Sequence, residues 1–221
     1  ATPHYRPLPE ANRPLTAGTL YLIDSGGQYL DATTDITRTV PLGLPTPAMR
    51  RDFTLVLKGH IAIARVVFPV GTSGAQLDTL ARTALWRAGL DFDHGTGHGI
   101  GAYLCVHEGP ARIAKTGTVP LEPGMILSNE PGCYRAGEYG IRTENLVSVS
   151  ARETPEGGMR KLLGFDTLTL CPIDHRLIDP ALLDAEERAW VDAYHARCEA
   201  ELAPLVGDAG EWLRRMCAPL A

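Results

Sequence analysis

Apolar and β-branched residues near the start of the chain predict a β-hairpin. Residues 19–24, TLYLID, are a short apolar run, and residues 28–40, QYLDATTDITRTV, are β-branched and roughly alternating. The sequence SGG between them predicts the turn. Residues 1–18 are rich in proline and polar side chains and are expected to be irregular.

Helical periodicity predicts two helices after this hairpin. Apolar residues at three- and four-residue spacing, among them Met49, Phe53 and Val56, indicate a helix from about Pro47 to Val67. The same spacing indicates a second helix over residues 74–88. The segment GLDFDHGTGHGIG, residues 89–101, contains too many glycines for a regular helix.

The second half of the chain predicts strands followed by helices. Residues 125–130, 141–149 and 161–170 are three apolar runs typical of strands. Residues 180–203 predict a helix, since Asp184 and Glu187 have the spacing of a capping box. A short helix over about residues 210–217 is expected at the end.

Composition narrows the function classes. The 221 residues have a net charge of −5, which argues against a nucleic-acid partner because such proteins usually carry a basic patch. No run of 18 apolar residues occurs, so no membrane partner is expected. Five cysteines, an odd number without a CxxC pair, suit a reducing compartment. We therefore expect a cytoplasmic protein.

Two similar acidic segments suggest a metal site. LIDSGGQY and LSNEPGCY each place an acid at the end of an apolar strand, followed by a glycine turn and a tyrosine. A second acid follows each segment, and His98 lies in the glycine-rich loop between them. Taken singly, an aspartate at a hairpin is more often a turn residue, and a glutamate before Pro-Gly is usually a strand end. A single histidine in a glycine-rich loop is more often structural or solvated. The joint pattern gives five candidate ligands: Asp24, Asp35, His98, Glu130 and Glu144.

The chemistry of these five side chains indicates two divalent cations. Hard oxygen ligands with one nitrogen suit manganese, cobalt, iron or zinc. Four clustered carboxylates raise each other's pKa values and cannot all stay ionised without cations between them. Two ions about 3.5 Å apart would neutralise these charges and hold a hydroxide between them.

Five motifs carry a resemblance to a known family: LIDSGGQYLDATTDITRT, HGTGHGIG, VHEGP, SNEPGCY and GIRTENLV. In this order and spacing they resemble the catalytic portion of Xaa-Pro aminopeptidases (aminopeptidase P) of the pita-bread metallopeptidase family M24. The resemblance runs from His4 to the C-terminus. It implies an α+β fold of the pita-bread type, with a curved antiparallel sheet covered by helices. Residues 1–172 would be the catalytic domain, incomplete at its N-terminus, and residues 173–221 a C-terminal helical extension.

The resemblance also implies a role for each candidate ligand. Asp24 would chelate one metal, Asp35 and Glu144 would bridge both, and His98 and Glu130 would ligate the second. Glu130 would also be the general base that takes a proton from the bridging water. Manganese is the metal expected first, with cobalt and zinc as alternatives.

Further residues are implied around the ligands. His4, His94, His107 and Arg142 are expected to take part in catalysis with Glu130, and the same four residues with Tyr134 to contact the substrate. His107 would hydrogen-bond the scissile carbonyl or the tetrahedral intermediate. His4 and Arg142 would shape the pocket for the penultimate proline. In a strand, Arg142 faces the same side as Glu144, two residues further on.

The expected function is hydrolysis of the N-terminal Xaa-Pro bond of a peptide with proline in the second position. A prolidase, which cleaves Xaa-Pro dipeptides with the same five ligands, is the first alternative. Residues 168–195 resemble the three-domain aminopeptidase P type and favour the aminopeptidase. A non-catalytic peptide-binding protein of the same fold is the second alternative, but such relatives typically lose ligands, and all five are present. A homodimer through the C-terminal region is also expected.

Overall fold

The structure of the protein is a computed structural model that describes residues 8–103 and 105–220. A six-stranded sheet forms its frame. The strands are β3 Phe68–Pro69, β4 Gly97–Ile100, β5 His107–Ile113, β6 Ile126–Asn129, β9 Asn145–Arg152 and β10 Leu162–Thr167. Their order in the sheet is β3-β10-β9-β6-β4-β5, and each pairing is antiparallel. Two hairpins form separate two-stranded sheets, β1 Thr19–Gln28 with β2 Thr33–Leu42, and β7 Gly132–Arg135 with β8 Tyr139–Arg142.

Within the described residues, four α-helices cover this frame, at or near the predicted positions. They are α1 Pro47–Arg65, α2 Gly74–Arg87, α3 Ala185–Leu202 and α4 Gly210–Met216. Helix α3 begins later than predicted, because residues 180–182 form a separate 3₁₀ turn. Its predicted capping box between Asp184 and Glu187 is confirmed. None of the described helices is long and apolar enough to span a bilayer.

Helix α1 is the central packing element. Phe53, Val56 and Leu57 on its buried face join the core that also contains Leu127 and Val147 of the sheet. The helix crosses α2 at very short range. A Cβ atom at Gly59 would lie 2.1 Å from the carbonyl oxygen of Ala81, so only glycine allows this crossing.

The first hairpin turns later than the sequence predicted. Strand β1 continues through Ser25 and both glycines to Gln28, and Gly26 pairs with Asp35. The turn is made by Tyr29–Ala32, whose ends are joined by a 2.8 Å hydrogen bond from the Tyr29 amide to the Ala32 carbonyl. The predicted SGG turn is therefore wrong. Asp31, interpreted as a strand residue, lies exposed in this turn.

The second acidic region is also divided differently. Residues 132–142 form their own hairpin, β7–β8, and the predicted single strand over 141–149 breaks at Thr143 and Glu144. The break occurs because the Glu144 amide donates to the Thr37 carbonyl of β2 at 3.1 Å instead of continuing a ladder. Strands β4 and β5 were not predicted, since their glycine-rich and polar sequences lack strand periodicity.

Candidate metal centre

The predicted ligands converge on one cleft. A cavity of about 520 Å³ lies between the first hairpin, the loop that leads into β4, and the strand ends that carry Glu130 and Glu144. Its lining contains all five candidate ligands and three of the other predicted site residues: Asp24, Asp35, His94, His98, His107, Glu130, Arg142 and Glu144. The fold thus brings residues that are far apart in sequence to one cavity.

Three of the ligands form a tight group. One potential ligand atom each from Asp35, His98 and Glu144 lies within 4.8 Å of the others. The His98 Nε2 atom is 3.5 Å from Asp35 Oδ2 and 3.3 Å from Glu130 Oε1. Its Nδ1 atom is 2.9 Å from the Gly99 carbonyl, which can only accept a hydrogen bond. In the neutral ring Nδ1 therefore carries the proton, and the Nε2 lone pair faces the carboxylates, as a metal-ligating histidine requires.

The two glutamates are buried carboxylates with elevated pKa values. Burial raises the pKa of Glu130 to about 7. Burial, together with the charges of Glu130 and Asp35, raises the pKa of Glu144 well above its usual range. Burial lowers the pKa of His98, but its contacts with Asp35, the Gly99 carbonyl and Glu130 outweigh this and raise it. Such mutual repulsion is what bound cations relieve, so this donor set fits divalent metals.

Asp24 occupies a different environment from the tight group. Its side chain is 51% exposed and lies 2.6 Å from Arg142 Nη2. The same guanidinium places Nε 3.8 Å from Glu130 Oε2. Arg142 therefore links the two candidate ligands that lie outside the tight group.

A hydrogen-bonded chain runs from Arg142 to His94. Arg142 Nη1 donates to the Tyr134 hydroxyl at 3.0 Å, and this hydroxyl is 2.9 Å from His94 Nε2. Because His94 Nδ1 faces a carbonyl, which can only accept, Nε2 of the neutral ring carries the lone pair, and the Tyr134 O–H donates to it. His94 Nδ1 then donates to the Gly95 carbonyl at 2.7 Å. Burial raises the pKa of Tyr134 to about 12, so the phenol stays protonated.

His107 is the remaining predicted residue that the structure places at the cleft. It begins β5, and its ring meets the His98 ring edge-on, with 4.1 Å between the centroids. The predicted contribution of His4 lies outside the described residues and stays a prediction.

Buried contacts fix the loop that carries His94 and His98. A Cβ atom at Gly97 would lie 1.9 Å from the Ser128 carbonyl, so glycine allows β4 to lie directly against β6. Asp78 accepts a 2.6 Å hydrogen bond from the Thr96 hydroxyl, and Arg82 Nη2 donates to the His94 carbonyl at 2.8 Å.

The sequence interpretation missed two hydroxyls that hold the glutamates. Thr37 donates to Glu144 Oε2 at 2.6 Å, and Ser128 donates to Glu130 Oε1 at 3.0 Å. The sequence of β2 contains a pattern that could have identified Thr37. Every second residue of this strand from Thr33 to Thr39 is polar, and all four are buried: Thr33, Asp35, Thr37 and Thr39.

Sequence comparisons agree with this geometry. The family model for metallopeptidase family M24 matches residues 1–151, and the model for the C-terminal region of peptidase M24 matches residues 161–220. The chain is 51% identical over 225 residues to a probable Xaa-Pro aminopeptidase P of Laccaria bicolor, covering 98% of this chain and 35% of that protein. It is 45% identical to aminopeptidase P1 of Arabidopsis thaliana, covering 99% and 35%. The chain thus spans about a third of the length of these curated relatives.

Solved structures show the same relationship. An X-prolyl aminopeptidase from Caenorhabditis elegans, described as a cytosolic enzyme with a di-nuclear active site, superposes with a TM-score of 0.94 at 44% identity, covering 99% of this chain and 36% of that one. A prolidase from Pyrococcus furiosus superposes with a TM-score of 0.58 at 31% identity, covering 68% and 41%. The expected α+β pita-bread fold is confirmed. With its first 151 residues matched by the family model, the chain belongs to metallopeptidase family M24.

Proposed function

We propose that this chain is the catalytic portion of a metal-dependent aminopeptidase that hydrolyses the N-terminal Xaa-Pro bond of peptides. The observation that carries the proposal is the convergence of Asp35, His98 and Glu144 within 4.8 Å, in the same cavity as Asp24 and Glu130. The similarity to Xaa-Pro aminopeptidases over nearly the whole chain supports it.

Two divalent ions fit the donor set. Asp24 would hold one ion, Asp35 and Glu144 would contact both, and His98 and Glu130 would hold the other. Manganese is the metal we propose first, since the set is rich in carboxylates; cobalt and zinc accept the same donors. When bound, the metals supply Lewis acidity and lower the pKa of the attacking water.

Glu130 is the group proposed to move the proton. It takes a proton from the water that attacks the scissile carbonyl and passes it to the leaving proline nitrogen. Its Oε1 accepts a hydrogen bond from Ser128, and its Oε2 faces Arg142 at 3.8 Å. These contacts fix the carboxylate in the cleft wall, where a peptide can approach it.

Histidines on the open side of the cleft would bind the peptide. His107 would donate to the carbonyl oxygen as negative charge develops on it, a role that fits its exposed position beside His98. His94, held by Tyr134, would contact the peptide from the β4 side. Arg142 would shape the proline pocket, together with His4.

We extend the proposal to the setting of the enzyme. A cytoplasmic location is proposed, with neither a nucleic-acid nor a membrane partner. Residues 1–172 would form the catalytic domain and residues 173–221 a helical extension that mediates a homodimer. Apolar side chains that remain exposed there, Leu205 at 77% and Trp212 at 49%, support the dimer contact.

The substrate test compares an Xaa-Pro-Xaa tripeptide with the matching Xaa-Pro dipeptide, in the purified protein supplied with Mn²⁺. We expect cleavage of the tripeptide before proline; faster cleavage of the dipeptide would identify a prolidase instead. His98→Ala and Glu130→Gln should abolish turnover. Asp31→Asn, which changes an exposed carboxylate of the same hairpin, is the matched control and should keep full activity. Turnover retained by either active-site variant would contradict the mechanism.

A further inference from the structure

A buried chain of polar side chains lies beneath the cleft. His60 of α1, Asn129 at the end of β6 and Asn145 at the start of β9 each have no exposed surface. Arg38 of β2 is 8% exposed and adjoins them. Since these side chains are closed off from the cavity, none of them can contact a substrate directly.

The hydrogen bonds give this chain a direction. His60 Nδ1 lies 3.1 Å from the Asn129 carbonyl, which can only accept, so Nδ1 carries the proton. His60 Nε2 lies 3.2 Å from the Asn145 amide nitrogen, which can only donate, so Nε2 accepts. The Asn129 amide donates back to the His60 carbonyl at 2.9 Å. Burial and the charge of Arg38 lower the pKa of His60 to about 3, so the ring is neutral.

Arg38 fixes the orientation of the Asn145 amide. Its Nη2 donates to Asn145 Oδ1 at 2.8 Å, which leaves the amide nitrogen to face His60. The same guanidinium donates to the Glu144 carbonyl at 2.6 Å and to the Cys171 carbonyl at 2.7 Å. Arg38 thus also connects the chain to the segment that leads into the C-terminal helices.

Two members of this buried polar group are the sequence neighbours of the two glutamates of the candidate metal centre. Asn129 immediately precedes Glu130, and Asn145 immediately follows Glu144; the two asparagines face each other across β6 and β9. His60 bonds to both asparagines and therefore spans the two places where these strands end.

We propose that His60 is a positioning residue that sets the spacing between Glu130 and Glu144 and thereby the affinity of the centre for divalent metal. This inference rests on the proposed function, because it takes both glutamates as metal ligands. Outer partners of metal ligands typically contribute about 10- to 100-fold in metal affinity. A purely structural histidine would contribute to folding without changing metal affinity.

The experiment separates these two effects by measuring Mn²⁺ affinity calorimetrically and thermal unfolding without metal. His60→Leu removes the donor and the acceptor, and His60→Gln restores amide groups of both kinds. The matched control is His195→Leu. His195 is equally buried, on α3, and accepts one hydrogen bond, from the Ile173 amide at 3.1 Å. It does not adjoin a candidate ligand in the sequence.

We expect both leucine variants to lower the unfolding temperature, but only His60→Leu to weaken Mn²⁺ binding, by about tenfold or more. His60→Gln should recover part of this loss. Mn²⁺ affinity within about twofold of wild type in His60→Leu would overturn the proposal. If His60→Leu does not fold, Arg38→Lys replaces it, because lysine keeps the charge without the forked contact to Asn145 and Glu144; unchanged affinity in that variant overturns the proposal equally.

Two further measurements complete the test. Nitrogen-15 NMR should show neutral His60 with its proton on Nδ1; the opposite tautomer would contradict the hydrogen-bond directions given above for His60.

Glu144→Gln reports on the proposed function itself. If wild type binds no Mn²⁺, or Glu144→Gln binds it equally well, the metal centre is wrong and this inference falls with it. If Glu144→Gln loses Mn²⁺ while His60→Leu keeps it, only the positioning role of His60 is wrong.

Discussion

The two acidic regions look alike in sequence but place their carboxylates by different means. In the first, Asp24 and Asp35 both lie within strands, and the alternation of β2 turns Asp35 into the cleft. In the second, Glu130 and Glu144 lie between strands, and their backbone amides are not part of a strand ladder. The Glu130 amide donates to the Thr96 carbonyl at 2.7 Å, and the Glu144 amide donates to the Thr37 carbonyl at 3.1 Å. Position in a strand does not by itself decide burial, because Asp24 in β1 is exposed and Asp35 in β2 is buried.

Burial separates Asp24 from the other carboxylates, since the side chains of Asp35 and Glu130 are only 10% and 15% exposed. Glu144 is 1% exposed as a residue, and the Asp24 side chain is 51% exposed. A buried carboxylate cannot be replaced by water when it is lost, because the surrounding groups leave no room for solvent. Glu144 should therefore be more sensitive to substitution than Asp24.

The largest effect is expected from Glu144→Gln compared with Asp24→Asn. Both changes remove a proposed ligand charge with little change in volume. Glu144→Gln should weaken Mn²⁺ binding by more than about 100-fold, because about 100-fold is the largest loss typical of residues that only hydrogen-bond to a metal ligand. Asp24→Asn should weaken it less, since water can reach that position. Calorimetric titration of both variants checks the order, and equal losses would show that burial does not decide it.

A smaller effect is expected from Thr37→Val, which tests how the two regions are joined. Thr37 donates to Glu144 and accepts a 3.0 Å hydrogen bond from Arg142 Nε, so valine breaks both contacts at constant shape. Mn²⁺ affinity should fall by about 10- to 100-fold.

Thr34→Val is the matched control for this change, because Thr34 is an exposed neighbour on the same strand whose hydroxyl serves only the hairpin. It should leave Mn²⁺ affinity unchanged. A similar loss in both variants would mean that the hairpin as a whole, and not the Thr37 hydroxyl, matters for metal binding.

The same comparison explains what the sequence could predict. Helices α1 and α2 were predicted to within two residues of their ends because apolar residues recur along their whole length. Strand β4, GHGI, has no such recurrence; it becomes a strand because Gly97 lets it lie against Ser128, a contact made only in the folded chain.

The candidate ligands could be predicted because each lies in a local motif. Their supporting side chains could not, because those contacts join distant parts of the chain. Thr37 and Glu144 are 107 residues apart, and His60 and Asn129 are 69 apart. Neither Thr37 nor His60 is distinctive in its own segment, so only the folded geometry reveals what each holds.

The smallest expected effect is on stability as a function of pH, and it separates the metal centre from the buried histidines. Glu130 and Glu144 have raised pKa values, so without metal the folded state holds more protons than the unfolded state, and stability falls as pH rises through about 7. His60 and His195 have pKa values lowered to about 3 and about 4, so their contribution is lost as pH falls below about 6.5.

The unfolding temperature of the metal-free protein should therefore be highest near pH 6.5 and decline toward pH 8. The alkaline decline arises from the metal centre, where Glu130, Glu144 and His98 all have raised pKa values, because His60 and His195 are already neutral in both states above pH 6.5. Glu144→Gln should flatten the decline, and saturating Mn²⁺ should reverse it, since ionised carboxylates bind the metal more tightly. Thermal unfolding scans between pH 5 and pH 8, with and without Mn²⁺, measure the loss of stability on the acid side and on the alkaline side. A decline that persists unchanged in Glu144→Gln would exclude Glu144 as its origin and leave Glu130 and His98, whose pKa values are also raised.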